Sequence, residues 1–207
     1  MKRAPMLAAR MLTAALAVSA LSACAPRITR VAPEQAIDLS GRWNDVDSRM
    51  VAEALIHQSF AEPAQNWATK YATRHGGEPP TVIVGTIRNR SMEHVPVGTF
   101  VADLERAYIN SGLVKVVSSK GERDEVRDER QDQQEYATAA TRAQLHAETG
   151  ADYMLQGEIQ SIEDREGGRS VVFYQVDLTL TNLQTNEKVW VGQHKIKKFI
   201  DRSRFGF

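Results

Sequence analysis

Cys24 is the only cysteine of the chain, and its neighbours suit it for a covalent modification. It follows Leu21, Ser22 and Ala23, an aliphatic residue and two small ones, as in the lipobox that a bacterial signal peptidase cleaves. The thiol of a lipobox cysteine accepts a diacylglyceryl group. A lone cysteine also has no partner for an intramolecular disulfide in an oxidising compartment. The sequence therefore predicts lipidation at Cys24; the alternative is a free thiol after an ordinary signal peptide.

Residues 1–23 have the composition of a secretory signal peptide. Lys2, Arg3 and Arg10 form a positively charged beginning, and residues 11–21 are an uncharged apolar run. A helix over these eleven residues would span about 16 Å, roughly half of the hydrocarbon core of a bilayer. We therefore predict a cleaved signal peptide rather than a permanent transmembrane helix.

The other reactive residue types do not combine into a catalytic or metal-binding pattern. The Gly-x-Ser-x-Gly turn of serine hydrolases and the glycine-rich phosphate loops are absent from the sequence. Carboxylates that are distant in sequence can still converge, as glycan cleavage requires. We predict no catalytic residue, no metal ligand and no cofactor. No histidine has a second one at the spacing of a helical zinc site; the histidines are His57, His75, His94, His146 and His194.

One polar loop is the predicted contact site for a partner. Arg88, Asn89, Arg90 and Ser91 come directly after a strand pattern, and open α/β sheets often bind their ligands at the end of a strand. The two arginines favour contact with a partner protein or an anion. The alternative is a plain turn in which Asn89 and Ser91 bond the local backbone.

The charges of the chain are balanced. There are 26 basic and 26 acidic residues, and removal of the three basic residues of the signal peptide leaves 23 against 26, a mature net charge near −3. Such a balance gives no reason to expect nucleic acid or an anionic membrane face as a partner. No long apolar run follows Cys24, so the lipid is the predicted membrane attachment.

Hydrophobic spacing predicts the elements that position these residues. Residues 24–39 have no periodicity and are predicted to be a short tether, followed by a single α/β domain over residues 40–200 and a tail over 201–207. The predicted helices begin at Asp45, with Asp45 or Asp47 as cap and Val46, Met50, Ala54 and Leu55 on the buried face; run from Pro63 to Gly76; and pass through Phe100 and Tyr108 to Gly112. Predicted strands cover Thr81–Ile87 and residues 113–118.

The last half of the chain changes in character. Residues 122–135 are rich in charge, which favours an exposed helix or a mobile segment, and the alanine-rich residues 137–149 favour another helix that ends at Gly150. Alternating patterns near Tyr153–Gln160, Val172–Leu180 and Val189–Val191, with a turn at Gly167-Gly168, predict an antiparallel meander. The predicted fold class is therefore a mixed α/β (α+β) sheet, with a parallel strand–helix–strand unit followed by this meander and helices packed on it.

Several segments in the same order resemble the LpoB-like family of outer-membrane lipoprotein activators of penicillin-binding proteins. They are PTVIVGTIRNRS at residues 80–91, GADYMLQG at 150–157, TNEKVW at 185–190 and DLSGRWND at 38–45, and the resemblance covers about residues 38–200. It implies a domain similar to the amino-terminal domain of TolB. It also implies a protein that binds a bifunctional peptidoglycan synthase and raises its activity, with no catalytic residue or small-molecule substrate.

The resemblance also implies a location. Ala25 follows Cys24 in place of the aspartate that favours inner-membrane retention, so an outer-membrane anchor with the domain in the periplasm is expected. The tether is shorter than the long linkers of the best-known activators. Two alternatives remain from the sequence: a component of an outer-membrane secretion apparatus related to curli-secretion lipoproteins, and a lipid-anchored wall hydrolase.

Overall fold

The computed structural model describes residues 28–32, 35–61 and 66–201. The chain divides into two units, residues 1–35 and residues 36–207. Among the described residues, no helix is long and apolar enough to cross a membrane. The predicted signal peptide, the predicted lipidation site Cys24 and the predicted tail after Asp201 lie outside the described residues.

The second unit contains the helices and strands of the described chain. In order they are α1 (Asp45–Ser59), α2 (Trp67–Arg74), β1 (Thr81–Asn89), α3 (Val97–Ser111), β2 (Lys115–Val117), α4 (Lys120–Tyr136), β3 (Tyr153–Glu166), β4 (Arg169–Asn182) and β5 (Lys188–Asp201).

The five strands form one mixed sheet in the order β2-β1-β3-β4-β5. β1 pairs in parallel with β2 and with β3, whereas β3, β4 and β5 pair antiparallel. The predicted fold class is therefore confirmed: β1, α3 and β2 are the parallel unit, and β3 to β5 are the meander. β1 is buried along most of its length because it lies inside the sheet, between β2 and β3.

The meander strands are longer than their alternating patterns predicted. Each has 14 residues, or about 46 Å at roughly 3.3 Å per residue. The sequence underestimated this length because residues 162–166 of β3 are exposed on both faces of the strand. The β3–β4 turn lies at Gly167 and Gly168, as predicted, and their φ angles of 56° and 85° are ones that glycine adopts without steric cost. We call this end of the meander the hairpin end.

The core lies between one face of the sheet and helices α1 and α3. On β4 the even-numbered residues from Ser170 to Leu180 are buried. The helices contribute fully buried side chains, among them Leu55, Phe100 and Leu104, and each is worth about 1.5–3 kcal/mol when removed from water. The odd-numbered residues of β4 lie on the opposite face and are partly exposed; we call that face of the meander the open face.

Helix α1 begins where the sequence predicts, but its cap and buried face differ from the prediction. Met50 is 45% exposed, whereas Ser48 and Ser59 are buried, because α1 contacts both α3 and β5. The N-cap is Asn44, whose side chain accepts a hydrogen bond from Asp47 N at 3.0 Å. The Asp47 carboxylate in turn accepts from Asn44 N at 2.9 Å, which completes a capping box.

Helices α2 and α3 agree with the sequence in place but not in every boundary. α2 begins at Trp67, later than predicted, because the side chain of Asn66 caps it by accepting from Ala68 N at 2.7 Å; Pro63 lies outside the described residues. α3 ends at Gly112, which adopts the left-handed conformation with φ 67° as predicted.

The prediction of a helix in residues 137–149 is wrong. This segment has no regular structure, because side chains of α4 bind its backbone instead. Ala143 N donates to Gln133 Oε1 at 2.9 Å, and Gln134 Nε2 donates to Ala143 O at 2.8 Å. α4 itself is a helix without a buried residue, as its charge pattern indicated.

Candidate functional site

The predicted contact loop begins at the last residue of β1. Asn89 Oδ1 accepts hydrogen bonds from Ser91 N at 2.9 Å and from Ser91 Oγ at 2.6 Å. Asn89 Nδ2 donates to Glu93 O at 2.8 Å, and Arg90 N donates to Ile159 O at 2.7 Å. Asn89 and Ser91 therefore shape the turn, as in the alternative interpretation of this loop.

The two arginines of the loop remain at the surface. Arg90 Nε lies 3.8 Å from Glu158 Oε2, with side chains 63% and 37% exposed, and such a surface pair contributes little to stability. Arg88 is exposed and has no ion pair within the described part of the chain. Both guanidinium groups can therefore reach a partner's carboxylates or an anion, and their local neighbour is the acidic Glu158.

The loop is tied to the segment that leads into the domain, a connection that sequence reasoning missed. Trp43 N donates to Glu93 Oε2 at 3.3 Å, and the hydroxyl of Tyr174 donates to the same carboxylate. The ring of Trp43 packs edge-on against Tyr174 and Phe100, with centroids 5.6 and 6.0 Å away. Burial, followed by the hydrogen bond to Glu93, raises the pKa of Tyr174. The glutamate thus holds the loop and the lead-in together.

A buried lysine fixes the same lead-in segment, which we define as residues 38–43. Lys198 Nζ donates to Asp38 Oδ1 at 2.7 Å, to Asp47 Oδ2 at 2.6 Å and to Arg42 O at 3.1 Å. The Lys198 side chain is only 10% exposed. Burial alone would lower its pKa, but the bonds and charges of Asp38 and Asp47 outweigh burial and raise the pKa. We call Lys198, Asp38 and Asp47 the lead-in clamp.

Two cavities lie away from the loop. A mostly apolar groove of about 450 Å³ runs between α1 and α3 past Ile56 and Phe60. A polar cavity of about 410 Å³ lies at the end of the meander opposite the hairpin end, beside Tyr71 and Glu187. Burial, followed by a hydrogen bond to Asp152, raises the pKa of Tyr71 to about 12.

Neither cavity brings together a nucleophile and a base. In the groove Asp103 is paired with Arg106, and in the polar cavity the Asp152 carboxylate accepts from Thr81 N at 2.8 Å. Over residues 28–32, 35–61 and 66–201, three or more potential metal-ligating side chains do not cluster anywhere. The surfaces that this part of the chain offers are suited to binding.

The mixed sheet with helices against one face defines the class of the molecule, a small α/β domain. Residues 47–196 match the family described as peptidoglycan-synthase activator LpoB. The chain belongs to this family. Family membership confirms the resemblance seen in the sequence, and it does not favour the alternative of a secretion-apparatus component. No curated protein matches the chain in sequence.

Solved structures of low sequence identity are similar to this chain. The LpoB C-terminal domain from Escherichia coli is 13% identical, with a TM-score of 0.44, and the match covers 73% of this chain and 99% of that one. Lipoprotein GNA1162 from Neisseria meningitidis is 20% identical, with a TM-score of 0.37 and coverage of 61% and 88%. PelC from Paraburkholderia phytofirmans, a dodecamer, is 18% identical, with a TM-score of 0.33 and coverage of 61% and 75%.

Proposed function

We propose that this chain is a lipoprotein, anchored through Cys24 to the outer membrane, whose periplasmic domain binds and activates a bifunctional peptidoglycan synthase, a penicillin-binding protein. The observation that carries the proposal is the match of residues 47–196 to the peptidoglycan-synthase activator family. An activator of this kind works by binding and needs no reactive group of its own. The cavities beside Asp103 and Asp152 agree with this, because each carboxylate there already has a protein partner.

The loop at residues 88–91 is our proposed contact with the synthase. Its Asn89 and Ser91 hold the backbone of the turn, while Arg88 and Arg90 are exposed. Arginine at a surface position is a frequent anchor in protein interfaces because it forms paired hydrogen bonds with carboxylates. The division of labour within the loop thus predicts an acidic patch on the synthase.

The proposed anchor restricts where the contact takes place. Fourteen residues separate Cys24 from Asp38, so the tether reaches at most about 50 Å and averages nearer 20 Å as a flexible coil. The domain therefore stays near the membrane that holds the lipid. We infer that the synthase region it binds extends close to the outer membrane.

The test is a reconstituted polymerisation reaction. The full chain is added to each purified bifunctional synthase of the source organism, and the rate of glycan-strand synthesis and the extent of cross-linking are followed. We expect at least one synthase to be accelerated, and saturably so. The proposal fails if every synthase is unaffected while the added chain shows the circular dichroism of a folded domain.

The contact loop is tested in the same reaction with matched variants. Arg88→Glu with Arg90→Glu should abolish most of the stimulation, because both charges that face the partner are reversed. Lys70→Glu with Arg74→Glu is the control, since these residues are exposed on α2. Equal loss in both double variants would place the contact elsewhere or show a non-specific effect of charge.

A further inference from the structure

An exposed apolar patch lies on the open face at the hairpin end. Ile162 on β3 stands opposite Phe173 on β4, and Val171 on β4 stands opposite Phe199 on β5. Ile162 is 67% exposed and Phe199 is 65% exposed, while Val171 and Phe173 are partly buried between them. Directly opposite residues of paired strands are side-by-side neighbours on one face, so the four side chains form one patch. We call it the hairpin patch.

The rest of the open face has a different composition. Toward the opposite end its cross-strand pairs are Gln156 with Thr179 and Glu158 with Asp177, and Gln193 on β5 binds Asp177 Oδ1 at 2.7 Å. A polar surface of this kind needs no covering partner. Contiguous exposed apolar side chains, in contrast, mark an interaction site. The open face is therefore asymmetric along the strands, and the asymmetry singles out the hairpin end.

The tether joins the domain at this same end. Asp38 binds Lys198, which is the immediate neighbour of Phe199 along β5. The lead-in segment continues past Gly41, where a side chain would overlap Ile200. The hairpin patch thus lies one sheet thickness, about 10 Å, from the point where the tether begins. With 14 residues between Cys24 and Asp38, the patch is easily within reach of the membrane that holds the lipid.

Two lysines border the patch on β5. Lys197 stands opposite Phe173, and Lys195 stands opposite Gln175. Neither has an ion pair within residues 36–61 and 66–201. Exposed apolar side chains beside free basic ones suit a phospholipid surface, where apolar groups enter the acyl boundary and ammonium groups meet phosphates. The chain as a whole is balanced in charge, but this local arrangement is basic and apolar.

We propose that the hairpin patch lies on the phospholipid leaflet that holds the lipid at Cys24, and so fixes the orientation of the domain. This inference rests on the proposed lipidation. The patch offers on the order of 300 Å² of apolar surface, well below the roughly 800 Å² that each partner buries in a stable protein complex. A small surface suffices for a membrane contact, because the anchor already holds the domain at high local concentration.

The proposed orientation has a consequence for the partner. The contact turns the hairpin end toward the membrane, and the opposite end of the meander, about 26 Å farther along the strands between Phe199 and Val191, away from it. The polar cavity beside Tyr71 and Glu187 then lies on the periplasmic side.

The experiment measures the accessibility of single thiols on proteoliposomes. Lipidation converts the Cys24 sulfur to a thioether, so a cysteine introduced elsewhere is the only thiol of the full chain. Ile162→Cys reports on the patch. Val191→Cys is the matched control, because Val191 lies on the same face toward the opposite end and is 63% exposed, against 67% for Ile162. The lipidated chain is added to phosphatidylethanolamine–phosphatidylglycerol vesicles, and the rate of maleimide labelling is compared with that of the unlipidated Cys24→Ala chain in buffer.

We expect labelling of Ile162→Cys to slow about fivefold or more on vesicles, as for a side chain that enters the acyl boundary, with Val191→Cys unchanged. Phe199→Cys should behave like Ile162→Cys, and adding Lys195→Glu with Lys197→Glu should restore much of its reactivity. Equal rates for the patch and control positions on vesicles would overturn the inference. So would protection in buffer that grows with protein concentration, since a second copy would then be the occupant.

Mass spectrometry of the same preparation distinguishes the two proposals. If Cys24 carries no lipid, the anchor and the membrane contact both fail, while stimulation of a synthase can still be measured. If Cys24 is lipidated and a synthase is stimulated, but the patch is unprotected, only the membrane contact fails.

Discussion

Two groups of charged side chains hold separate parts of this domain together, and they differ in burial. In the lead-in clamp the side chains of Lys198 and Asp47 are 10% and 6% exposed. Along α4, Glu148 binds Arg127 and Arg130 at 2.9 Å, with Arg127 and Glu148 45% and 27% exposed. The distances are similar, so the difference in effect has to come from solvent.

The comparison teaches that the same type of contact has two different roles. A buried ion that loses its partner keeps the cost of its desolvation, whereas an exposed ion is solvated by water instead. The clamp therefore determines whether the lead-in segment is ordered on the sheet. The ion pairs of Glu148 determine only how residues 137–149 lie against a helix that has no buried residue.

The largest effect is expected from removing the clamp lysine. Lys198→Ala leaves the buried Asp47 carboxylate without its cation and should lower the free energy of unfolding by about 3 kcal/mol. Urea denaturation followed by tryptophan fluorescence measures the change, and Trp43 lies within the affected segment. Lys197→Ala is the control, because that side chain is exposed on the open face. A loss equal to that of the control would show that the clamp is not a stabilising contact.

A smaller effect is expected from alkaline pH. The pKa of Tyr174 is raised by burial and then by Glu93, and the pKa of Lys198 is raised by its carboxylate partners against the effect of burial. Because both pKa values are higher in the folded state, their stabilisation is complete below about pH 10 and is lost as the pH rises through the folded-state values. The urea midpoint should therefore fall above that pH.

The contribution of the clamp to this pH dependence is measurable with a variant. Lys198→Met has no titrating ammonium group, so its urea midpoint should fall less steeply above about pH 10 than that of the unaltered chain. Parallel curves for the two proteins would assign the alkaline loss to tyrosines alone.

The smallest effect is expected on α4. Glu148→Gln removes the charge that binds Arg127 and Arg130 but leaves all three side chains accessible to water, so the urea midpoint should not move beyond experimental error. Hydrogen exchange in residues 137–149 should accelerate, since the segment is held by these bonds and by those at Ala143. A large loss of global stability would mean that the segment belongs to the core.

Period and turn chemistry made the architecture predictable. Alternation placed β3 and β4, the β-branched run gave β1, and Gly112 and Gly167-Gly168 ended their elements as expected. The error at residues 137–149 has a physical cause: alanine favours a helix locally, but Gln133 and Gln134 of α4 bind the backbone at Ala143. Such a competing contact involves residues about ten positions away and leaves no periodic signal.

The candidate site was predictable in place but not in its connections. The position of Arg88 to Ser91 at the end of a buried strand was visible in the sequence. The bonds from Glu93 to Trp43 and Tyr174 join residues 50 and 81 positions apart, and Lys198 joins residues 151 positions apart. Only the paired strands bring these residues together. An isolated lysine between apolar residues, as in Lys197-Lys198-Phe199, was the available signal for a buried cation.

The most direct measurement of the central claim is the affinity of the full chain for a purified bifunctional synthase, by isothermal titration. The account predicts saturable one-to-one binding with a Kd of about micromolar or tighter. It also predicts weakening by Arg88→Glu with Arg90→Glu, and an affinity for the Lys70→Glu, Arg74→Glu control that equals that of the unaltered chain. Absence of heat and of complex formation with every such synthase of the organism, for a chain that is folded, would contradict the account.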